Sequence, residues 1–166
     1  MPVKPERIAV IMEARKANRV GRIQTLWGGY GEVARYLLDG GHVPSVVVKH
    51  VKPGEGRGRS HDRKLRSYEV EQLWYEQWAE HCGPACRVAQ CFHVERDAGE
   101  WLFVLEDLDA AGFPRRRRQL TFQQLVACLQ WLAALHAWFC LKDCTGRLQW
   151  WKTTHTTTNK RGISAS

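Results

Sequence analysis

One arrangement constrains this chain more than any other. Two strand-like runs flank the tight stretch L26-W-G-G-Y-G-E-V33, a third strand follows in V46-V-V-K49, and the helical run R63-KLRSYEVEQLWYEQW comes after it. A loop between two strands can lay backbone N–H groups over phosphate oxygens only where no side chain intervenes. Gly29 and Gly31 meet that need. Val33 follows on the strand, where an apolar side chain could cover an adenine. Taken alone, G-G-Y-G also makes an ordinary hairpin turn.

Around that stretch the periodicity predicts a regular order of elements. Pro5 to about Asn18 reads as a short helix with Ile8, Ile11, Met12 and Arg15 along one side. Val20 to Trp27, Glu32 to Leu38 and Ser45 to Val51 read as strands, separated by G28-G-Y-G31 and D39-G-G-H42. Pro53 to Ser60 is a loop rich in glycine and arginine. Asp62 is the expected N-cap of a long helix reaching about His81. Val88 to Glu95 and Trp101 to Glu106 form an expected hairpin around R96-D-A-G99, and Thr121 an expected cap for an apolar helix from Phe122 to about Cys140. Five strands pairing largely with sequence neighbours predict an α+β fold, an antiparallel sheet carrying one long helix. With 166 residues and 44% apolar side chains, the chain can bury a core. No internal repeat is evident.

Two charged residues stand out within this frame. Strand alternation puts Val47, Lys49 and Val51 on one face of a run that reads as buried. A lysine there needs a carboxylate partner, because an unpaired buried charge is costly. The alternative is an edge-strand lysine that discourages aggregation. On the following helix, Tyr68, Glu71 and Tyr75 share a face, so Glu71 is the expected partner of Lys49, with Glu69 and Glu76 left to solvent.

The net charge of +8 is localised: Arg115 to Arg118 form one run, and Arg147, Lys152, Lys160 and Arg161 follow Thr145 without an acid. Such an excess can bind nucleic acid, but no nucleic-acid-binding motif accompanies it, so a solvated loop and tail are expected. The N-terminus lacks an apolar secretory core and no run reaches the length of a membrane span, so a cytoplasmic chain with reduced cysteines is expected. His81, Cys82, Cys86, Cys91 and His93 could hold zinc, yet C-x3-C-x4-C-x-H is not a common knuckle, and structural thiols are expected. His136 on its apolar helix reads as a core histidine, and Trp131, Leu135 and Trp138 as helix core.

L26-W-G-G-Y-G-E-V33, V47-V-K49-H, Y68-x-x-E71-x-x-W-Y75, V104-L-E-D-L108-D-A-A-G-F113 and L132-A-A-L-H-A137 follow in this order. Together they resemble the N-terminal lobe of the ecdysteroid-kinase-like and choline-kinase or aminoglycoside-phosphotransferase-like small-molecule kinases, over roughly residues 20 to 140. The resemblance implies a kinase-like N-lobe over 1–108 and a hinge connector with the first helix of a helical second lobe over 109–140. Beyond Leu148 the sequence has no period and is rich in threonine, so a disordered tail is expected over 141–166. It implies an ATP-dependent phosphotransferase acting with Mg²⁺. Gly29, Tyr30 and Gly31 would form the nucleotide loop. Lys49 would contact phosphates and Glu71 would orient it. Val33 and Val47, with Glu106 and Leu108 of the hinge at Leu105 to Leu108, would complete the nucleotide-binding set.

The chain departs from that family where chemistry needs carboxylates. Phosphoryl transfer uses acidic residues to hold Mg²⁺ and orient the nucleophile. No H-x-D occurs, His61-Asp62 is adjacent rather than spaced, and after Asp109 the only acidic residue is Asp143. Asp107-x-Asp109 reads as a solvated hinge turn. These departures predict no catalytic residues, no metal ligands and no turnover, as in a truncated or frame-shifted reading of a longer kinase gene. The alternatives are a non-catalytic nucleotide-binding or interaction fragment and a basic nucleic-acid-binding fragment. The expected partners are a nucleotide and a small-molecule acceptor. No membrane or nucleic-acid partner is expected. The apolar helix also leads us to expect self-association or a chaperone.

Overall fold

The computed structural model describes residues 2–144, the last four by backbone alone. The described residues form two compact units, one holding those up to His81 and Val88–Arg118, the other Cys82–Arg87 with those from Gln119.

The first unit carries α1 (Pro5–Ile11), β1 (Lys16–Thr25), β2 (Gly31–Asp39), β3 (Ser45–Val51), α2 (Arg59–Gln77), β4 (Cys91–Asp97) and β5 (Glu100–Glu106). The five strands form one sheet in the order β1-β2-β3-β5-β4, every pair antiparallel. Three of the four pairings join sequence neighbours. The fourth, β3 with β5, brackets the excursion through α2 and β4, so the α+β architecture is the expected one.

Alternation along the strands divides the core in two. On one face Ala34, Tyr36, Val46, Val48, Leu102 and Val104 pack with Ile8 and Ala9 of α1 and with Met12 just after it. On the other, Val51, Trp101 and Phe103 pack with Tyr30 and with Tyr68 of α2. Trp101, Tyr36 and Phe103 are the largest fully buried side chains, and burying one such side chain stabilises by about 1.5–3 kcal/mol. Trp101 keeps its indole N–H satisfied by donating to Gln72 of α2 at 3.0 Å.

Local details correct the expected boundaries. The first helix ends at Ile11 instead of about Asn18. Glu13 takes a positive φ of 49°, and Lys16 onward pairs with β2 through Lys16↔Asp39. Ladder hydrogen bonds in the sheet thus override a helical pattern that lacks a core-facing partner beyond Met12. Asp62 is not the cap of α2. The helix starts at Arg59 after Gly58, whose φ is 96°, and the Asp62 N–H donates to the Gly58 carbonyl. Asp62 instead lies in the first turn, where a carboxylate favours the helix dipole. The expected hairpin is present with its strand starts shifted, closing at Ala98-Gly99.

In the second unit, α3 spans Phe122–Cys144. Its start is a reciprocal cap: Thr121 Oγ1 accepts from the Gln124 N–H at 3.3 Å, and Gln124 Oε1 accepts from the Thr121 N–H at 3.1 Å. The Trp131 indole donates to the Arg87 carbonyl at 2.9 Å. The tail expected over 141–166 lies outside the described residues except for its first four, which belong to α3.

Candidate functional site

The glycine stretch joins β1 to β2 through a 3-10 turn at Trp27–Gly29. Gly28, Gly29 and Gly31 have φ of 71°, 72° and 131°, values that side chains disfavour. Their reasons differ. A Cβ on Gly31 would fall 2.0 Å from the His50 carbonyl oxygen, so β3 itself demands a glycine there. A Cβ on Gly29 would meet nothing within 4 Å, and its N–H donates to the Leu26 carbonyl at 3.2 Å.

Tyr30 behaves unlike a loop residue. Its side chain turns inward, buried with Val51, Tyr68, Trp101 and Phe103. Its hydroxyl is 2.6 Å from His61 Nδ1 at the start of α2. A ligand over the loop would meet Tyr30 through its backbone alone.

Below the loop stands the pair expected from strand and helix spacing. The Lys49 ammonium lies 2.7 and 2.5 Å from the two oxygens of Glu71, with side-chain exposures of 16% and 28%. Two aromatic rings lie against the lysine: its Nζ is 5.1 Å from the Tyr68 ring centre and 5.5 Å from that of Phe103. Tyr75 packs on Phe103 at 6.0 Å. Burial, and then the nearby charges of Glu71 and Cys91, push its hydroxyl up to about 12. Tyr68, Glu71 and Tyr75 therefore do share the inward face of α2, as their spacing requires.

Register places the apolar positions around this pair. Val33 faces Lys49, which faces Phe103; Arg35 faces Val47, which faces Leu105. Residues directly opposite share a face, so Val33, Val47 and Leu105 line the same side of the sheet as Lys49.

At the exit of β5 the structure corrects one expectation. Asp107 is not part of a solvated turn: it is 4% exposed. Its carboxylate accepts from Ser45 Oγ at 2.7 Å and from Arg35 Nη2 at 3.0 Å, and Arg35 also bonds Asp109. Burial by itself would push the Asp107 carboxyl up. The Ser45 hydroxyl, the Arg35 guanidinium and the Asp109 N–H outweigh it and hold the group below the usual carboxylate range. The residues after Asp107 form a turn. The Leu108 carbonyl accepts from the Phe113 N–H at 2.8 Å, and Glu106 uses its side chain to accept from the Gln90 N–H at 3.1 Å.

Arg35, Lys64 and His61 escaped sequence reasoning. Strand alternation would have put Arg35 on the Lys49 face once β2 and β3 were placed in register, but nothing local sets that register. Cys91 and His93, members of the alternative zinc set, have local partners. Cys91 Sγ donates to the His93 carbonyl at 3.4 Å, and His93 Nε2 lies 3.0 Å from Glu95. Among the described residues no three His, Cys, Asp or Glu side chains converge as a metal-binding group, and no helix is long and apolar enough to cross a membrane.

Residues 42–141 match the family model described as the ecdysteroid kinase-like family. The matched segment runs from just before β3 into α3, taking in Lys49, Glu71 and the hinge while leaving the glycine loop outside it. No curated protein matches the chain.

Proposed function

The chain belongs to the ecdysteroid kinase-like family, and from that premise we propose that its sheet-bearing unit is the nucleotide-binding half of an ATP-dependent small-molecule phosphotransferase. The observation that carries this is the Lys49–Glu71 pair, set against aromatic rings on the face that Val33, Val47 and Leu105 also line. A lysine fixed by a glutamate on one side still offers its ammonium as a compact point charge to phosphate oxygens. Val33 and Val47 would cover the adenine, the glycine loop at Gly28 to Gly31 would lie over the phosphates, and the segment from Glu106 to Leu108 would meet the base edge.

We further propose that the chain binds nucleotide without transferring phosphoryl. Mg²⁺, which the family implies, does not fit Glu71 or Asp107. Both Glu71 oxygens are taken by Lys49, and Asp107 is taken by Ser45 and Arg35. Neither can hold the ion and also orient a hydroxyl. Self-association accompanies this proposal, supported by the exposed Phe122, Leu125, Leu129 and Leu132 along α3.

Titration of ATP into the wild-type chain and into Lys49→Met tests the binding role. Losing a charge-assisted contact should weaken ATP about tenfold or more. Equal binding by the two, or none by either, would remove the proposal. In a radiolabelled ATP assay with Mg²⁺ and a panel of alcohols, acceptor-dependent transfer that Lys49→Ala abolishes would show that the chain is a working enzyme.

A further inference from the structure

Lys64, one turn into α2, is placed unlike the other basic residues of that helix. Its Nζ lies 2.8 Å from where a Cβ on Gly28 would stand, so the ammonium rests directly on the bare backbone of the glycine loop. It sits 4.6 Å from the centre of the Tyr30 ring. Among the described residues no carboxylate pairs with it, whereas Lys49 is bound by Glu71. The positioning is specific. The Tyr30 hydroxyl bonds His61, which pins the loop to the same helix that carries Lys64. A side chain at Gly56 would strike the His61 ring at 2.5 Å, so that attachment also constrains the loop before α2.

Tyr30 and Tyr68 belong to one buried cluster. Lys64 lies against the ring of the first and Lys49 against the ring of the second. Two ammoniums thus flank one aromatic cluster, one neutralised by a carboxylate and one not. Arg59, Ser60, Arg63 and Ser67 extend the basic surface beyond Lys64 around an open hollow of about 500 Å³.

We propose, resting on the nucleotide-binding function above, that Lys64 is a second phosphate-binding residue. It would engage the terminal phosphate of a nucleoside triphosphate while Lys49 engages the inner ones. Phosphate is the ligand class that fits: a lysine ammonium offers three donors to a compact anion, and glycines at positive φ leave backbone exposed where oxygens can approach. The consequence is selectivity for chain length. Lys64 would distinguish a triphosphate from a monophosphate carrying the same base.

The test titrates ATP, AMP and inorganic tripolyphosphate into wild type, Lys64→Met and Lys64→Arg at fixed ionic strength, with thermal melts confirming that all three fold. Lys64→Met should weaken ATP and tripolyphosphate about tenfold and leave AMP unchanged. Lys64→Arg should recover part of the loss. An unchanged ratio of ATP to AMP affinity in Lys64→Met would overturn the assignment, as would failure of the wild type to bind tripolyphosphate. Binding of tripolyphosphate that depends on Lys64, without any preference for adenine nucleotides, would support the phosphate site while refuting the nucleotide function it was built on.

Discussion

Arg35 and Asp107 close the sheet against the hinge: the guanidinium Nε of one lies 2.7 Å from a carboxylate oxygen of the other, 72 residues away. Through this pair the middle of β2 is tied to the residue that follows β5, and Ser45 ties the start of β3 to the same carboxylate. The segment that follows β5, proposed above to meet the base, is therefore held by the sheet.

Loss of Arg35 leaves the buried Asp107 carboxylate without its cation, and loss of the Asp107 charge leaves Arg35 with Asp109 alone. Asp107 is 4% exposed and Arg35 29%, so Asp107→Asn should destabilise by on the order of 3 kcal/mol. The pH dependence has a definite sign. The Asp107 carboxyl is lowered in the folded state, so its stabilisation is present above the unfolded value of about 3.9 and is lost as pH falls through the folded value. Denaturant unfolding from pH 7 to pH 3 should show a constant gap between wild type and Asp107→Asn down to about pH 4, narrowing below it. A gap that widens with acid would refute the assignment.

The Lys49–Glu71 pair lies between the buried and exposed limits, at 16% and 28% exposure. Breaking it should cost more than the roughly 1 kcal/mol of a surface pair and less than the 3–5 kcal/mol of a fully buried one. Lys49→Met and Glu71→Gln, singly and together, should be non-additive by about 1–2 kcal/mol in a double-mutant cycle. Additive effects near zero would mean that the pair does not form in solution.

Much of this was legible in the sequence, and the failures have physical causes. The β-branched run Ser45–Val51 is a strand with the expected bounds, because no helical pattern competes with it. Tyr68, Glu71 and Tyr75 fell on one helix face because the 3.6-residue period is local information. Asp107 looked solvated because nothing in E-D-L-D says which carboxylate turns toward the sheet, and its guanidinium partner is remote in sequence. Tyr30 looked like a loop residue for the same reason: its hydroxyl partner, His61, is 31 residues on. Local pattern specified the elements, and long-range pairing decided which polar side chains they buried.

The glycines separate a structural requirement from a functional one. Gly31→Ala would put a methyl 2.0 Å from the His50 carbonyl oxygen at a φ of 131°, which forces β2 and β3 apart. Gly29→Ala meets open space and pays only for its left-handed φ of 72°, about 1–2 kcal/mol. Thermal melts should therefore show Gly31→Ala far less stable than Gly29→Ala. Equal melting points would show that the close approach of the two strands is absent in solution.

The apolar side chains of α3 make a further measurement informative. Phe122 is 79% exposed, Leu129 54% and Leu125 45%, on a helix whose start is fixed by the Thr121–Gln124 cap. Exposed apolar groups that share a helix face favour association, so the chain should bind a hydrophobic dye and its apparent mass should rise with concentration. Leu125 and Leu129 are one turn apart and lie on one face. The double substitution Leu125→Lys with Leu129→Lys should reduce both signals, because adjacent like charges keep copies apart while the cap and the helix remain. Thr121→Ala should act differently, costing about 1 kcal/mol of helix stability without removing the apolar face. A wild-type chain that stays monomeric at all concentrations and binds no dye would show that α3 presents no apolar surface in solution, and would end the proposal of self-association.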